Sequence, residues 1–527
     1  MTVARVACRA QVGLHAPLVQ VEVSLAAGLP AFCIVGLPAT VIKESKERVR
    51  AALLNSRFVF PAGRITVSLS PAELPKEGGR FDLPIALGIL LASGQLSSPA
   101  CPAPGSVVAR EFYGELGLNG NLEPVHGMLL AAAHARQQDH ELIVPHGNAA
   151  EACAVAPRQT RAARHLLEVC AHVSGAAPLA PCSAAPSRTP TPLEAAALLE
   201  PVGDLAEVRG QALAKRALIV AASGSHSLLF VGPPGCGKSM LAQRLPGLLP
   251  PLAEEEALEV AAIAAASTVG FRPALLGRRP FRAPHHTASA AALVGGGARA
   301  RPGEISLAHR GVLFLDELTE FSRGVLEALR EPLESGVVAV SRAALQIQYP
   351  ADFQLVAAMN PCPCGGFGDR DGRCRCTPRE VERYRARLSG PLLDRLDLRV
   401  EMTPLAAEEL AAAADSTGGS AAAAARVARA RALQCRRQGV LNARLSDAGV
   451  ARWCAPDAAG ARLLERTLTQ FRLSLRTRQR VLRIARSIAD LESSPAVRRE
   501  HIAEALVLRG ADRGATAPSA SSDRRPA

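Results

Sequence analysis

Lysine and aromatic residues are scarce in this chain of 527 residues. Aromatic side chains make up 3% of it, and lysine occurs only at positions 43, 46, 76, 215 and 238. The net charge of +13 therefore comes almost wholly from arginine. A basic protein suits a polyanionic partner, but many basic proteins bind no nucleic acid. The charge by itself leaves that partner open.

Apolar runs long enough to span a bilayer are also missing from the sequence. The segment LVQVEVSL, 18–25, alternates apolar and polar residues, unlike the apolar core of a secretory signal. The 13 cysteines are scattered apart from one tight group, which argues against a disulfide framework. We therefore expect a soluble protein of the reducing cytoplasm, with no membrane partner.

Composition and periodicity divide the chain into five segments. Alternating strand patterns such as RITVSLS (64–70) mix with helical ones such as KESKERVRAALLNS (43–56) in the first segment, which predicts an α/β or α+β domain. A Pro/Ser-rich linker follows, then apolar runs alternating with helical patterns, typical of a parallel sheet covered by helices. A helical segment and a disordered tail complete the chain. The predicted boundaries are 1–180, 181–199, 200–402, 403–510 and 511–527.

The strongest chemical motif is GPPGCGKS, which follows the apolar run SLLFV and precedes a helical pattern. Its glycines let backbone N–H groups face phosphate oxygens at a helix N-terminus. Lys238 is expected to reach the β- and γ-phosphates, and Ser239 to ligate Mg²⁺. Standing alone, the motif also suits an ordinary glycine-rich turn. The nucleotide-binding residues that it predicts are Gly232, Pro233, Pro234, Gly235, Cys236, Gly237, Lys238 and Ser239.

A second motif, GVLFLDEL at 311–318, has the pattern of a buried strand that ends in two acidic residues. Asp316 is expected to join Ser239 in the shell of Mg²⁺, and Glu317 to orient or deprotonate the attacking water. An acidic pair after a strand can also cap a helix. Because both motifs follow strands, together they predict the hydrolysis of ATP.

Three further residues complete the predicted mechanism. Asn360 ends the apolar run FQLVAAMN and is expected to position the water, although an Asn-Pro turn has the same sequence. Arg395, in GPLLDRLDL, is expected to enter a neighbour's site in a ring, or else to pair with Asp394 or Asp397. Arg476 is expected to reach the γ-phosphate from the C-terminal segment. Spacing does not separate it from the arginines at 478, 480 and 483.

The tight cysteine group lies in NPCPCGGFGDRDGRCRC. Two pairs of thiols around a Gly/Asp-rich turn suit a structural zinc site, although C-x-C is tighter than the usual spacing of zinc ligands. Four free thiols on a loop are the alternative. The candidate ligands are Cys362, Cys364, Cys374 and Cys376.

These motifs, taken in order, resemble those of the magnesium-chelatase-like AAA+ ATPases of the YifB/ComM type. The resemblance covers residues 4 to about 510, and the run over 28–90 is similar to the N-terminal domain of that family. It is carried by AEVRGQALAKRAL (206–218), GPPGCGKSMLAQRLPGLLP (232–250), FRAPHHTASAAALVGGG (281–297), RPGEISLAHRGVLFLDELTEF (301–321) and AAMNPCPCGG (357–366).

The resemblance implies an N-terminal α+β domain of the S5 or Lon-protease type, an AAA+ P-loop core and a C-terminal helical lid. It places Val208 and Gln211 at the adenine pocket, Arg395 as an arginine finger and Arg476 as the sensor 2 arginine. It also implies a homo-hexameric ring that acts on single-stranded or branched DNA without reading its sequence. In the ComM members that action is branch migration during natural transformation.

An insertion is expected between the two ATP-site motifs, because Asp316 follows Lys238 by 316 − 238 = 78 residues. By the resemblance, 291–299 and a hairpin over 337–349 would face the channel of the ring. We expect His285 and His286 to hydrogen bond within the insert more readily than to bind a metal. Three arginines are expected to neutralise phosphates without reading bases: Arg299, Arg301 and Arg342.

Two other functions remain open from the sequence. The ATPase core alone also suits a magnesium-chelatase motor subunit or a protein-remodelling ATPase. A Lon-like domain would suit an ATP-dependent protease, whose chemistry needs a serine and a lysine. Lys76 is present, but the segment after it, 77–92, offers Arg80 and Asp82 and no serine. We therefore expect a noncatalytic N-terminal domain.

Overall fold

A computed structural model gives the fold of the chain. It describes residues 2–36, 39–74, 76, 78–97, 110–182, 203–297, 300–342, 345–367, 374–404, 419–471 and 473–510. The chain divides into two compact units, one of Met1–Ala197 with Ala257–Leu276, the other of Leu198–Glu256 with Gly277–Ala527. The predicted tail and all but two residues of the predicted linker lie outside the described residues. The domain boundaries stay predictions.

The first unit contains a mixed seven-stranded sheet in the order β3-β4-β2-β1-β5-β8-β9. Strands β2 and β4 bury alternate residues, which confirms the period-2 patterns in the sequence. Strands β6 and β7 pair separately. The strands are β1 (Thr2–Arg9), β2 (Leu18–Ala26), β3 (Ala31–Val35), β4 (Arg64–Ser70), β5 (Arg110–Phe112), β6 (Glu115–Leu116), β7 (Leu122–Glu123), β8 (Glu141–Pro145) and β9 (Thr160–Ala163).

Five helices accompany this sheet among residues 2–182, and most of a sixth, over 254–266, belongs to the same unit and packs in its core. The second of them packs on β1 and β2 and has ten of its eleven residues buried, because its sequence DLPIALGILLA is apolar on every side. The helices are α1 (Ala39–Asn55), α2 (Asp82–Ala92), α3 (Met128–Gln137), α4 (Ala149–Cys153) and α5 (Leu166–Val173).

The second unit contains a parallel five-stranded sheet in the order β11-β14-β17-β10-β18. This confirms the parallel sheet that the apolar runs predict. Two hairpins stand outside it, β12 with β13 and β15 with β16. The strands are β10 (Leu228–Val231), β11 (Phe281–Arg282), β12 (Gly295–Gly296), β13 (Arg301–Pro302), β14 (Val312–Leu315), β15 (Val337–Arg342), β16 (Leu345–Pro350), β17 (Gln354–Met359) and β18 (Leu398–Glu401).

Helices surround that sheet and make up most of the described chain after residue 418; numbered with them in chain order is the helix over 254–266, of which 257–266 belongs to the first unit. They are α6 (Ala212–Gly224), α7 (Lys238–Leu248), α8 (Glu254–Ala266), α9 (Ala290–Val294), α10 (Glu304–Leu307), α11 (Arg323–Ala328), α12 (Arg330–Ser335), α13 (Pro378–Arg385), α14 (Gly390–Arg395), α15 (Ser420–Gln438), α16 (Asp447–Trp453), α17 (Ala458–Gln470), α18 (Leu475–Leu491) and α19 (Arg499–Arg509). The mixed α/β class is thus as predicted, whereas the Lon-like assignment and the lid stay predictions. Within the described ranges, no helix combines the length and the apolar character needed to cross a bilayer.

The strand order of the second sheet places the predicted motifs together. GPPGCGKS follows β10, the acidic pair follows β14, and Asn360 follows β17. These three strands are neighbours and parallel, so their carboxyl ends lie at one edge of the sheet. That edge is the candidate site.

Candidate active site

The loop between β10 and α7 has the backbone of a phosphate-binding loop. Gly235 and Gly237 have φ angles of 79° and 93°, which glycine adopts without strain. Lys238 begins α7 and is only 9% exposed. Its Nζ donates to the carbonyl oxygens of Gly232 at 2.6 Å and Pro233 at 2.8 Å. Burial lowers the pKa of Lys238, and these acceptors fix the ammonium group at the loop.

The ammonium of Lys238 also joins two of the predicted site residues. Its Nζ donates to Asn360 Oδ1 at 3.1 Å. The amide of Asn360, at the end of β17, is therefore held beside the loop, as expected for a residue that positions a water near phosphate. The sequence separates this pair by 122 residues.

Ser239 and Asp316 form the second contact of the site. Ser239 Oγ donates to Asp316 Oδ2 at 2.6 Å, and the backbone N–H of Glu317 donates to Asp316 Oδ1 at 2.9 Å. A hydroxyl and a carboxylate side by side are the oxygen donors that Mg²⁺ prefers. The residues present therefore fit a magnesium ion.

Glu317 adopts the left-handed backbone conformation, with φ 50°. Such a conformation is uncommon for a residue other than glycine and occurs often at functional sites. Its carboxylate Oε2 lies 3.2 Å from Nδ1 of His286. Both side chains line a cleft of about 320 Å³ that also contains Ser239 and Asp316.

This contact corrects the expectation for the two histidines. His285 behaves as predicted, because its Nδ1 lies 2.9 Å from Thr287 Oγ1 within the insert. His286 instead pairs outside the insert, with the acidic residue after β14. The contact follows from the strand order of the sheet, since His286 follows the end of β11 by four residues and β11 is the neighbour of β14.

Arg395 lies apart from this cleft, at the end of α14. Its guanidinium donates to Pro391 O at 2.8 Å and to the carboxylate of Glu334 on α12. The alternative that it pairs with Asp394 or Asp397 is therefore wrong. Asp397 pairs with Arg480 at 2.8 Å. The role of Arg395 toward a neighbouring subunit stays a prediction.

Arg476 lies in the first turn of α18 and is exposed. It forms no hydrogen bond or ion pair with any other residue that the structure describes. Two of the rival arginines on that helix are engaged elsewhere, Arg480 by Asp397 and Arg483 by the carbonyl of Leu445 at 2.5 Å. The contacts therefore leave the sensor 2 assignment a prediction.

The predicted adenine-pocket residues differ in exposure. Val208 is buried in the core of the second unit. Gln211 donates from Nε2 to Thr403 O at 2.7 Å and to Cys236 O at 3.3 Å, so it ties the phosphate-binding loop to the chain after β18. Burial raises the pKa of the Cys236 thiol.

The four predicted cysteine ligands come together beyond Asn360. Their sulfur atoms all lie within 4.8 Å of one another. Cys362 and Cys364 are 3.4 Å apart, and Cys374 lies 3.8 Å and 3.7 Å from them. Four thiolates at about 2.3 Å from a zinc ion place their sulfurs about 3.8 Å apart. Backbone N–H groups of Gly366 and Arg375 lower the pKa of Cys364 to about 6. With Cys376 as the fourth member, the cysteines form a set that fits zinc.

Three family profiles match the chain. "Magnesium chelatase, subunit ChlI" covers residues 204–410, "Subunit ChlI of Mg-chelatase" covers 21–148, and "Magnesium chelatase, subunit ChlI C-terminal" covers 417–509. The second profile lies in the first unit and the third lies in the second unit, whereas the profile over 204–410 matches the second unit together with 257–276 of the first.

Individual proteins match over nearly the whole chain. A Salmonella typhimurium protein named YifB and the competence protein ComM of Haemophilus influenzae are each 46% identical to it, over 97% of this chain and 98% of their own. The 38 kDa magnesium-chelatase subunit of Cereibacter sphaeroides is 29% identical over 29% of this chain and 51% of its own. The similarity to the chelatase subunit therefore covers only part of the chain, whereas the similarity to YifB and ComM covers 97% of it.

Proposed function

The chain belongs to the YifB/ComM family of magnesium-chelatase-like proteins, and we propose that it is a cytoplasmic AAA+ motor that moves DNA by hydrolysing ATP. The relation of that family to AAA+ ATPases supports an ATPase in general. The observation that carries the proposal is the meeting of Lys238 with Asn360, and of Ser239 with Asp316, at one edge of the sheet.

Each side chain of the site has a task in hydrolysis. Lys238 binds the β- and γ-phosphate oxygens together with the N–H groups of its loop. Ser239 and Asp316 would hold Mg²⁺, which neutralises phosphate charge when bound. Glu317 accepts the proton of the attacking water, and Asn360 orients that water.

The two hairpins of the second unit supply the proposed DNA-contacting surface. Tyr349, on β16, is only 1% exposed. Its hydroxyl donates to Ala300 O at 3.0 Å, in the hairpin of β12 and β13, which we call the insert hairpin. The hairpins therefore form one block. Arg301 lies on β13, whereas Arg299 lies outside the described residues and only the backbone of Arg342 is described.

The block connects to the ATP site through a short stretch of chain. Its first hairpin begins at Gly295, directly after α9, and His286 precedes the start of that helix by four residues. His286 in turn contacts Glu317. We propose that movement of the hairpins and the position of the catalytic carboxylate are coupled along this path.

The name of the Haemophilus influenzae relative supports a role in competence. We propose that the substrate is single-stranded or branched DNA, and that the motor promotes branch migration when incoming DNA recombines during transformation. We further propose a homo-hexamer, in which Arg395 completes the site of the next subunit. The alternative is a chelatase-like or protein-remodelling ATPase with no DNA substrate.

The direct test uses a fluorescently labelled four-way junction with homologous arms. We expect the protein to separate the junction into two duplexes when ATP is present. We expect no separation with a non-hydrolysable ATP analogue, and none by the Lys238→Ala variant. Efficient ATP hydrolysis with no effect on any junction or fork would contradict the DNA motor and favour the alternative.

We propose a noncatalytic role, with contact to DNA, for the N-terminal unit. Its candidate residues for peptidase chemistry are engaged internally. Lys76 Nζ donates to Pro71 O and Leu74 O, Arg80 donates to Arg9 O and His126 O, and Asp82 accepts from Ser45 and Arg48.

We propose that Cys362, Cys364, Cys374 and Cys376 hold a structural zinc ion. The support is the spacing of their sulfurs and the absence of disulfides among the described cysteines. Elemental analysis of protein purified without chelator is expected to find one zinc per chain. A chain without stoichiometric metal would end this part of the proposal.

A further inference from the structure

The loop that carries the first cysteine pair lies against the phosphate-binding loop. Gly365 has a φ angle of 79°, and a Cβ atom built on it would lie 2.6 Å from Cδ and 3.1 Å from Cγ of Pro234. No real carbon contact is as short as the first of these distances. The backbone after Cys364 is therefore packed directly on the second proline of GPPGCGKS.

The phosphate-binding loop is supported from two directions by neighbouring parts of one segment. Lys238 Nζ donates to Pro233 O and to Asn360 Oδ1. Gly365, five residues after Asn360, contacts Pro234, and its N–H donates to Cys362 O at 3.0 Å. The segment from Asn360 to Gly365 thus sets the position of both prolines.

The second cysteine pair ties that segment to a helix. Cys376 precedes Thr377, which caps the N-terminus of α13 in a capping box with Glu380. At the other end of α13, Arg385 donates to Pro361 O at 3.3 Å, and its guanidinium lies 5.0 Å from the ring of Phe367. A metal bound to all four sulfurs would lock the segment between β17 and α13.

We propose that the metal-loaded cysteine cluster is a positioning element for the phosphate-binding loop, so that its occupancy sets the affinity for ATP. The proposal rests on the zinc site and the ATP site proposed above. Buried Cys362 holds the end that bears Asn360, and Gly365 transmits the position of the cluster to Pro234. When the thiols lose their metal, this contact loses its anchor and the loop is less well ordered for phosphate.

The first experiment compares full-length protein before and after removal of zinc by a zinc-selective chelator that leaves Mg²⁺ in place. Zinc per chain and the Kd for a fluorescent ATP analogue are measured on the same samples. We expect affinity to fall about tenfold without zinc, as for a misplaced binding group, and to return on adding Zn²⁺. Equal affinity with and without zinc would overturn the proposal.

A second experiment separates the packing contact from the metal. Gly365→Ala keeps all four cysteines, so we expect it to keep one zinc per chain and still lose about tenfold in affinity for the analogue. Gly439→Ala is the matched control, because Gly439 has nearly the same φ, 76°, with open space around it at the end of α15. We expect it to bind the analogue as the unaltered chain does.

The outcomes distinguish the three claims. If the unaltered protein holds zinc but binds no nucleotide, the proposed ATPase function is wrong. If the protein binds nucleotide but has no stoichiometric zinc, or has a disulfide in the cluster, both the zinc site and the positioning role are wrong. If Gly365→Ala keeps its zinc and binds the analogue as tightly as Gly439→Ala, the cluster is an independent structural site and the positioning role is wrong.

Discussion

At the scale of residues, the contact between His286 and Glu317 is the clearest link between catalysis and the rest of the molecule. The side chains are 32% and 55% exposed, so the pair is accessible and contributes modestly. When its ring is protonated, His286 attracts the carboxylate of Glu317 and makes it a poorer acceptor of a proton from water. We therefore expect the pair to restrain Glu317, the proposed catalytic base.

His286→Ala is expected to raise ATP hydrolysis in the absence of DNA about fivefold, which corresponds to the roughly 1 kcal/mol of an accessible ion pair. Stimulation by DNA should fall by a similar factor, because the link to the hairpins is cut. Steady-state assays with and without DNA check both effects. His285→Ala is the control, since its ring lies beside that of His286, with 4.1 Å between the centroids, while its own Nδ1 lies 2.9 Å from Thr287 Oγ1. Equal rates in the two variants would contradict a restraint at His286.

Motif spacing predicts Lys238, Ser239 and Asp316 because their roles are written in contiguous stretches of sequence. The partners of His286 and Arg395 could not be read in that way. Each of these pairs depends on which strand or helix becomes a neighbour in the fold. Glu334, for example, precedes Arg395 by 61 residues. Long-range side-chain pairs need the topology first.

At the scale of elements, the insert hairpin depends on one glycine more than on its neighbours. Gly295 has φ 112°, and a Cβ on it would lie 2.4 Å from Arg301 O, whereas Gly296 and Gly297 face open space. A side chain at Gly297, where φ is 82°, would also strain the backbone, but only a side chain at Gly295 would also meet the partner strand, so we expect Gly295 to matter most. Its substitution distorts the pairing of β12 with β13.

Gly295→Ala is expected to slow junction processing about tenfold, because backbone strain of roughly 1–3 kcal/mol shifts the hairpin away from its working shape. ATP hydrolysis should stay near its original rate, since the hairpin does not line the cleft. Gly277→Ala, with φ 80° and open surroundings, is the control for strain in this unit. Unimpaired processing by the Gly295 variant would remove the proposed role of the hairpin.

The buried carboxyl of Asp82, at the start of α2, is expected to give the stability of the first unit a pH dependence. Burial raises the pKa of the Asp82 carboxyl to about 6, although Arg48 and Ser45 donate to it. The native state then binds this proton more tightly than the unfolded state does, so raising pH from about 4 to about 6 lowers the stability, by at most about 3 kcal/mol.

Asp82→Asn should remove this contribution, because asparagine does not titrate. Hydrogen exchange of α2 peptides in full-length protein, corrected for intrinsic rates, gives the local free energy of opening at each pH. Asp139→Asn, on the exposed surface of the same unit, is the control and should keep the slope. A slope that survives in Asp82→Asn would contradict this origin.

Alternation predicts β2 and β4, and apolar runs predict β10, β14 and β17, because each of these strands has enough residues to show a pattern. Neither pattern could predict β6, β7, β11, β12 or β13, which have two residues each. Such strands are determined by their neighbours: β12 and β13 exist because the chain turns back between Gly296 and Arg301. The longer strands of the two sheets can therefore be predicted from the sequence, whereas the short hairpins cannot.

At the scale of the whole molecule, the proposed ring requires Arg395 to act across an interface. In a single chain its guanidinium is engaged by Glu334, away from the cleft of its own subunit. An arginine finger contributes about 10³–10⁵ to the rate of hydrolysis, so Arg395→Ala and Lys238→Ala should each be nearly inactive.

Mixing these two variants tests the interface. Some sites of a mixed ring combine an intact Lys238 from one subunit with an intact Arg395 from the next. We therefore expect the mixture to regain ATPase activity that neither variant has alone. The rings must first be shown to exchange subunits. If the ATPase rate of the mixture is then no higher than the mean of the two variants' rates, Arg395 does not act in the neighbouring site.

The central claim is that hydrolysis at this site is coupled to DNA. It is tested most directly by steady-state ATP hydrolysis, alone and with single-stranded, duplex or four-way-junction DNA, beside Glu317→Gln. We predict strong stimulation by single-stranded or branched DNA, and a loss of about 10²–10⁴-fold in the variant. Robust hydrolysis that no DNA changes would contradict the account and leave the hairpins to another partner.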